Sequence, residues 1–186
     1  MGAGVLPFAR RDGEVLFLLQ TVFSGRKRGF LNDFGGGVDP GESDRRAAAR
    51  EFVEETETMY LATDPAGARR TPSTVAAQLP RVEALFSATL GVNPDWWCAR
   101  SSPNPARPKQ WKTFFIEFPY RDVSSLNRLW AADSSGRYRK RRELYWVPAE
   151  RLLQLYAHQP DRLWKRVRQL RGAPAVIRAI QRAGAR

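Results

Sequence analysis

A helical face that carries three carboxylates is the feature of this chain most suited to chemistry. Glu51, Glu54 and Glu55 stand at positions i, i+3 and i+4, which are neighbours on one side of a helix. Carboxylates so close repel one another unless a cation holds them, and Mg²⁺ usually joins such oxygen ligands to substrate phosphates. A bound ion would neutralise a diphosphate and activate water for attack at phosphorus. The preceding Arg50 could orient the glutamates through a bidentate contact.

The residues around these glutamates predict the elements that position them. Three glycines at 35–37 and the Asp-Pro-Gly sequence at 39–41 indicate turns. Ser43 or Asp44 can cap a helix that runs to about Glu57. Alanine, phenylalanine and valine residues at four-residue spacing turn the other side of this helix toward the core.

The rest of the chain predicts a mixture of strands and helices. A hairpin is expected over 5–9 and 15–21, with further strands over 113–118 and 144–147. Helices are expected over 148–156, 161–170 and 175–182. Between these elements, 64–72 is predicted as a loop, and Ser73 can cap a short helix over 74–78. The segment 81–90 fits either a helix or a strand. The proline-rich segment 101–109 is expected to be irregular.

Residues 36–58, GGVDPGESDRRAAAREFVEETET, resemble the signature of the Nudix hydrolases. The residues that fit its fixed positions are Gly36, Glu42, Arg50, Glu51, Phe52, Glu54 and Glu55. Glu57 stands where the family has glycine, and Thr58 where it has an apolar residue. These departures concern the helix end, because Glu57 either adopts a left-handed conformation at a cost of about 1 kcal/mol or lets the helix run on. A weaker cue at 145–148, Tyr-Trp-Val-Pro, extends the likeness.

The resemblance implies an α/β fold, an α/β/α sandwich with a mixed β-sheet. It also implies hydrolysis of a diphosphate linkage in a nucleoside diphosphate derivative, dependent on Mg²⁺ or alternatively Mn²⁺. The residues it assigns to the metal are Gly35, through its carbonyl, and Glu51, Glu54 and Glu55. Glu51 could instead act as the base. Gly36 and Glu42 are expected to brace the loop.

Two candidate sets of site residues lie outside the signature. Glu143 precedes the Tyr-Trp-Val-Pro element and could supply a further carboxylate, although it could equally close the charged surface run that starts at Arg137. Arg26, Lys27 and Arg28 precede the glycine turn and could meet substrate phosphates. An exposed basic loop is the alternative for these three residues.

Length and composition indicate one domain over 1–186, with a basic helical extension from about 161. The chain has 186 residues, of which 42% are hydrophobic, enough for a single core. No apolar run approaches the length of a membrane span. The single cysteine, Cys98, excludes an internal disulfide and a multi-cysteine zinc site, and a reducing cytoplasmic setting is the default.

The positive charge of the chain bears on its partners. The formal net charge is +12, and a field of this sign attracts nucleotides, RNA or acidic membrane surfaces. A solvated, arginine-rich surface is an equally good explanation. Two alternatives to the nucleotide hydrolase therefore stay open: a catalytically silent RNA-binding module, and a hydrolase of capped RNA 5′ ends. A homodimer is possible under each.

Overall fold

The computed structural model of the protein describes residues 1–100 and 110–184, so the segment 101–109 predicted to be irregular lies outside the described residues. In these ranges the strands are β1 (Gly2–Arg11), β2 (Glu14–Val22), β3 (Phe34–Gly37), β4 (Trp97–Ala99), β5 (Trp111–Glu117) and β6 (Arg142–Pro148). The α-helices are α1 (Asp44–Glu55), α2 (Pro72–Val92), α3 (Ser124–Ala132), α4 (Ala149–His158), α5 (Lys165–Arg168) and α6 (Ala173–Gly184).

Strand β1 is the centre of a mixed sheet with the order β4-β5-β1-β2-β6. It pairs in parallel with β5 along one edge. Its other edge is shared, since the first residues of β1 pair antiparallel with β3 and the last pair antiparallel with β2. The β1–β2 hairpin turns at Asp12 and Gly13, both at positive φ, as the sequence predicts. Strand β3 therefore enters the gap that opens where β2 diverges from β1.

Helices cover both faces of this sheet. Phe34 pairs with Val5, and its ring lies 5.0 Å from that of Phe52 in α1, centroid to centroid. Arg10 points to the opposite face because it lies an odd number of positions from Val5 along β1. There, Arg10 Nη1 donates to the carbonyl of Ile180 in α6 at 3.3 Å. The predicted α/β/α sandwich with a mixed sheet is confirmed.

Helix α1 begins as its sequence predicts. Ser43 is the N-cap, and its hydroxyl accepts from the backbone N–H of Arg46 at 3.2 Å. The inward side of the helix consists of small and apolar residues. Its buried members are Ala47, Ala48, Ala49, Phe52 and Val53. The glutamates on the other side are left to face the glycine-rich strand β3.

The end of α1 shows which of the two alternatives expected at Glu57 occurs. The helix stops at Glu55, and both Glu57 and Thr58 are left-handed, at φ 53° and 61°. The N–H of Glu57 donates to the Glu54 carbonyl at 3.0 Å and that of Thr58 to the Val53 carbonyl at 2.9 Å, which is a Schellman motif. Glu57 thus takes the conformation that glycine adopts at lower cost.

Helix α2 begins earlier and is longer than the helix predicted for this segment. Residues 74–78 are helical as predicted, but the predicted cap at Ser73 and the short length are wrong. Thr71 is the N-cap of a capping box, and Pro72 follows it in the first helical turn. The helix continues through Pro80 and includes 81–90, the segment that the sequence left undecided. Within the described ranges no helix, α2 included, is long and apolar enough to cross a membrane.

The predicted helix over 161–170 is interrupted. A 3₁₀ turn at Pro160–Arg162 precedes the four-residue α5. Between them the chain pairs with Leu31, whose N–H donates to the Arg162 carbonyl at 2.9 Å and whose carbonyl accepts from Trp164 at 2.8 Å. A helix cannot form across this bridge, because the backbone groups of these residues bond to a distant segment instead of to each other.

Arg166 of α5 reaches the buried side of strand β3. Its Nε donates to Asp33 Oδ1 at 2.8 Å, and its Nη1 donates to the carbonyl of Gly35 at 3.1 Å. The guanidinium carbon lies 4.0 Å from the ring centroid of Trp111. Asp33 has no exposed surface and Arg166 is buried. A charge buried in this way is tolerated only when it is paired, so α5 and β3 depend on each other.

We predict that Arg166→Met lowers the free energy of unfolding by about 3–5 kcal/mol, because it leaves Asp33 as an uncompensated buried charge. Arg168→Met is the matched control on the same helix. Its partner Asp161 has a side chain that is 91% exposed, so the change should cost less than about 1 kcal/mol. Urea unfolding followed by tryptophan fluorescence measures both variants. Equal losses in the two variants would contradict this assignment.

Candidate active site

Arg50 binds the acidic residues of α1 to the turn before the helix. Its Nε and Nη2 donate to the two carboxylate oxygens of Glu42 at 3.0 and 2.9 Å. Nη2 also donates to the Gly37 carbonyl at 2.9 Å, and Nη1 to Glu51 Oε1 at 3.1 Å. Burial would raise the pKa of Glu42, but the hydrogen bonds from Arg50 hold it below its usual value. The bidentate contact expected of Arg50 therefore falls on Glu42, the predicted loop brace.

Glu51 lies directly against the backbone of the glycine-rich strand. A Cβ built on Gly36 would overlap the Glu51 carboxyl group, so a side chain at position 36 would displace it. Burial first, and then the charge of Glu55, raise the pKa of Glu51, while Arg50 acts in the opposite direction. A carboxylate with a raised pKa is better suited to accept a proton near neutral pH.

Glu55 is the most firmly held of the three glutamates. Its Oε2 accepts from Gln20 Nε2 at 2.7 Å and from the Gly35 N–H at 2.8 Å. Its Oε1 is 3.1 Å from Arg142 Nη2, and Arg142 Nε donates to the Glu55 carbonyl at 2.7 Å. Strands β2, β3 and β6 thus all contribute to fixing one carboxylate on α1.

Glu54 completes a pattern in which each glutamate faces a guanidinium. Arg70, from the loop before α2, forms an ion pair with Glu54 Oε2, and Arg50 Nη1 lies 3.7 Å from Oε1. In the part of the chain that the structure describes, no three His, Cys, Asp or Glu side chains are assembled to hold a metal ion. The donors are the hard oxygens that Mg²⁺ prefers and they share one helix face, and each carboxylate is paired with an arginine.

The carbonyl of Gly35, predicted to be a metal ligand, accepts from Arg166 Nη1 at 3.1 Å. A carbonyl oxygen has two lone pairs, so one remains for another partner. The neighbouring N–H of Gly35 is directed at Glu55. Gly35 therefore offers the acidic cluster one N–H donor and one carbonyl oxygen with a free lone pair.

Among the three predicted phosphate-binding residues, Lys27 is the one shown to interact with the charge of Glu55. Burial and the charge of Arg166 lower the pKa of Lys27, while the charges of Glu55 and Asp33 oppose this change. Arg26 is exposed, and Arg28 lines a separate cleft of about 670 Å³. In the described ranges, neither arginine forms a hydrogen bond or an ion pair with the glutamates. The structure therefore brings Lys27 to the site without its two neighbours.

Glu143 is not brought to the cluster, because strand alternation turns it away. Arg142 pairs with Val22 and Glu143 pairs with Thr21 in the β2–β6 ladder. Successive side chains of a strand point to opposite faces, so Arg142 reaches the α1 side and Glu143 the other. Glu143 lies beside Tyr145 instead, and both line the 670 Å³ cleft.

Three residues at the site are not among those predicted from the sequence. Gln20 is a lone amide after a run of apolar residues in β2, which is a usable signal for a buried polar contact. Arg142 is adjacent to Glu143, the predicted candidate. Only the register of β6 against β2 shows which of the two side chains faces the acidic cluster. Arg70 stands in an arginine-containing loop with no local pattern, so nothing in the sequence singled it out.

Comparison with known proteins agrees with this arrangement. Residues 1–74 match the family model of the NUDIX domain, a range that includes β1, β2, the glycine strand and all of α1. The predicted resemblance to the Nudix family is confirmed over residues 1–74. This match supports a Nudix-type pyrophosphohydrolase as the general class. No curated protein sequence matches the chain significantly.

The solved structures that the structural comparison matches to this chain include three Nudix proteins. A Caenorhabditis elegans Ap4A hydrolase in a binary complex is 15% identical, with 100% of this chain and 98% of that chain covered and a TM-score of 0.49. A Nudix hydrolase from Alicyclobacillus acidocaldarius is 18% identical, with coverage of 98% and 91% and a TM-score of 0.47. The Nudix domain of Shewanella oneidensis NrtR with ADP ribose is 14% identical, with coverage of 82% and 75% and a TM-score of 0.38.

The raised pKa of Glu51 predicts a specific dependence of stability on pH in metal-free buffer. The unfolded chain loses the Glu51 proton at the ordinary value of 4.5, while the folded chain retains it to higher pH. Because the folded state then binds more protons, this contribution to stability falls as pH rises from 4.5 through the raised pKa. Glu51→Gln should remove this component, so its melting temperature should rise relative to wild type toward neutral pH.

Melting curves between acidic and neutral pH, recorded with a chelator, measure this effect. The control is Glu150→Gln, a change at an exposed glutamate in the first turn of α4. Its melting temperature should track that of wild type across the range. A constant offset between Glu51→Gln and wild type at every pH would refute the predicted linkage.

Proposed function

We propose that this protein hydrolyses a diphosphate linkage in a nucleoside diphosphate derivative, with Mg²⁺ or Mn²⁺ held by carboxylates of α1. The observation that carries this proposal is the placement of Glu51, Glu54 and Glu55 on one helix face against the backbone of β3. The Nudix match over residues 1–74 supports the same class. A nucleoside monophosphate and a second phosphorylated fragment would be the products, in a cytoplasmic setting.

Each acidic residue has a distinct task in this proposal. Glu54 and Glu55 would hold the cation, with the Gly35 carbonyl as a further ligand. When bound, the ion supplies charge neutralisation at the diphosphate and activation of water. Glu51, with its raised pKa, would accept the proton of the attacking water or serve as a further ligand. Arg50 keeps Glu51 in place through its own anchorage on Glu42.

Cationic groups around the cluster support a phosphate-bearing substrate. Lys27 approaches Glu55 from the loop after β2, and Arg142 contacts it from β6. Arg70 contacts Glu54 from the loop before α2. These groups come from three separate segments and converge on one acidic cluster. A diphosphate could therefore meet positive charge on several sides while the cluster holds its metal.

We predict turnover with Mg²⁺ on at least one member of a panel of dinucleotides, nucleotide sugars and capped RNAs. Glu54→Gln and Glu55→Gln should each lower kcat/KM by roughly 100-fold, because each removes a charged oxygen ligand. Glu150→Gln is the control and should retain full activity. Glu143→Gln should also stay within about threefold of wild type, because strand alternation turns it to the other face of the sheet.

The same assay separates the alternatives. Turnover confined to capped RNA would identify the RNA-end hydrolase, with the positive surface holding the chain of the substrate. No turnover on any panel member, together with tight RNA binding that weakens steeply with salt, would overturn the enzyme and favour the binding module. A 100-fold loss in Glu143→Gln would instead add that residue to the catalytic machinery.

A further inference from the structure

Arg70 differs from the other arginines at the acidic cluster in what holds it. Arg50 is anchored on Glu42 and the Gly37 carbonyl, and Arg142 on the Glu55 carbonyl, so both contribute to the fold whatever the glutamates bind. In the described part of the chain, the hydrogen bonds and ion pairs of Arg70 go to carboxylates alone. Arg70 Nη2 pairs with Glu54 and Nη1 lies 3.9 Å from Glu57 Oε1. It is the arginine of this set that can leave its glutamate without breaking a backbone contact.

Glu57 is an unusual residue for its position. It is 2% exposed, it is left-handed, and its Oε1 has no hydrogen-bond partner among the described residues. Its carboxylate interacts with the charges of Arg70, Arg142 and Arg139. The Nudix pattern has glycine here, which would avoid both the backbone strain and the buried carboxylate. The unsatisfied oxygen faces Arg70, the residue that also occupies Glu54.

We propose that Arg70 regulates cation binding at Glu54 by exchanging between Glu54 and Glu57. In the state described here its guanidinium occupies Glu54, where a divalent cation would bind. When a cation binds Glu54, Arg70 moves to the free Oε1 of Glu57, which is already 3.9 Å away. The cation therefore displaces an ion pair that re-forms nearby, so Glu57 lowers the cost of loading the site. This inference rests on the proposed cation site.

The exchange can be tested by measuring Mn²⁺ affinity without substrate, using the paramagnetic resonance signal of the free ion. Arg70→Gln should tighten Mn²⁺ binding about three- to fivefold, because the competitor for Glu54 is gone. Glu57→Gly should weaken it by a similar factor, because Arg70 then has only Glu54 as a partner. In the Arg70→Gln background, Glu57→Gly should change the affinity by less than about 1.5-fold.

The double variant is decisive because simple charge effects would also shift the affinity in these directions. Through-space attraction and repulsion predict that the two changes add, whereas exchange predicts that the effect of Glu57→Gly disappears once Arg70 is absent. Arg69→Gln is the matched control, since this neighbouring arginine donates to the loop carbonyls of Ala66, Gly67 and Ala68. It should leave Mn²⁺ affinity nearly unchanged.

Two further outcomes complete the experiment. Mn²⁺ binding with additive effects of Arg70→Gln and Glu57→Gly would overturn the exchange while leaving the proposed cation site intact. Absence of Mn²⁺ binding in wild type and every variant would overturn the cation site and the exchange with it.

Glu57→Gln, which keeps the side chain but removes its charge, should weaken binding as Glu57→Gly does. It separates the loss of the carboxylate from the change in backbone strain.

Discussion

The repulsion among carboxylates on one face of α1 is the constraint around which the site is built. Glu51, Glu54 and Glu55 lie within a single helical turn, and each is compensated by a guanidinium. The compensating arginines come from α1 itself, from the loop before α2 and from β6. Electrostatic balance therefore joins segments that are distant in the chain, and the acidic face is stable only in the completed fold.

The glycine strand makes this arrangement sterically possible. Strand β3 enters the gap between β1 and β2 and brings its backbone against α1. A side chain on Gly36 would overlap Glu51, and one on Gly35 would overlap the backbone of Ala3 and Gly4. The backbone can thus present an N–H to Glu55 at hydrogen-bonding distance. The spacing of glycine and glutamate in the sequence reflects a close backbone approach as well as chemistry.

Features governed by local sequence could be predicted, and features governed by tertiary contacts could not. The hairpin at Asp12 and Gly13 and the start of α1 at Ser43 follow from turn and capping preferences within a few residues. The break before α5 depends on pairing with Leu31, over one hundred residues earlier along the chain. The choice of Arg142 over Glu143 depends on the register of β6 against β2, which no single strand specifies.

The pairing between Asp33 and Arg166 has a consequence for folding during translation. These residues are 133 positions apart, so Asp33 leaves the ribosome long before its partner is synthesised. Until then, docking β3 would bury a lone negative charge at a cost of several kcal/mol. We expect a nascent chain that contains only the Nudix-matching stretch to keep this strand undocked. The acidic helix α1 would then gain its final support only after α5 has been synthesised.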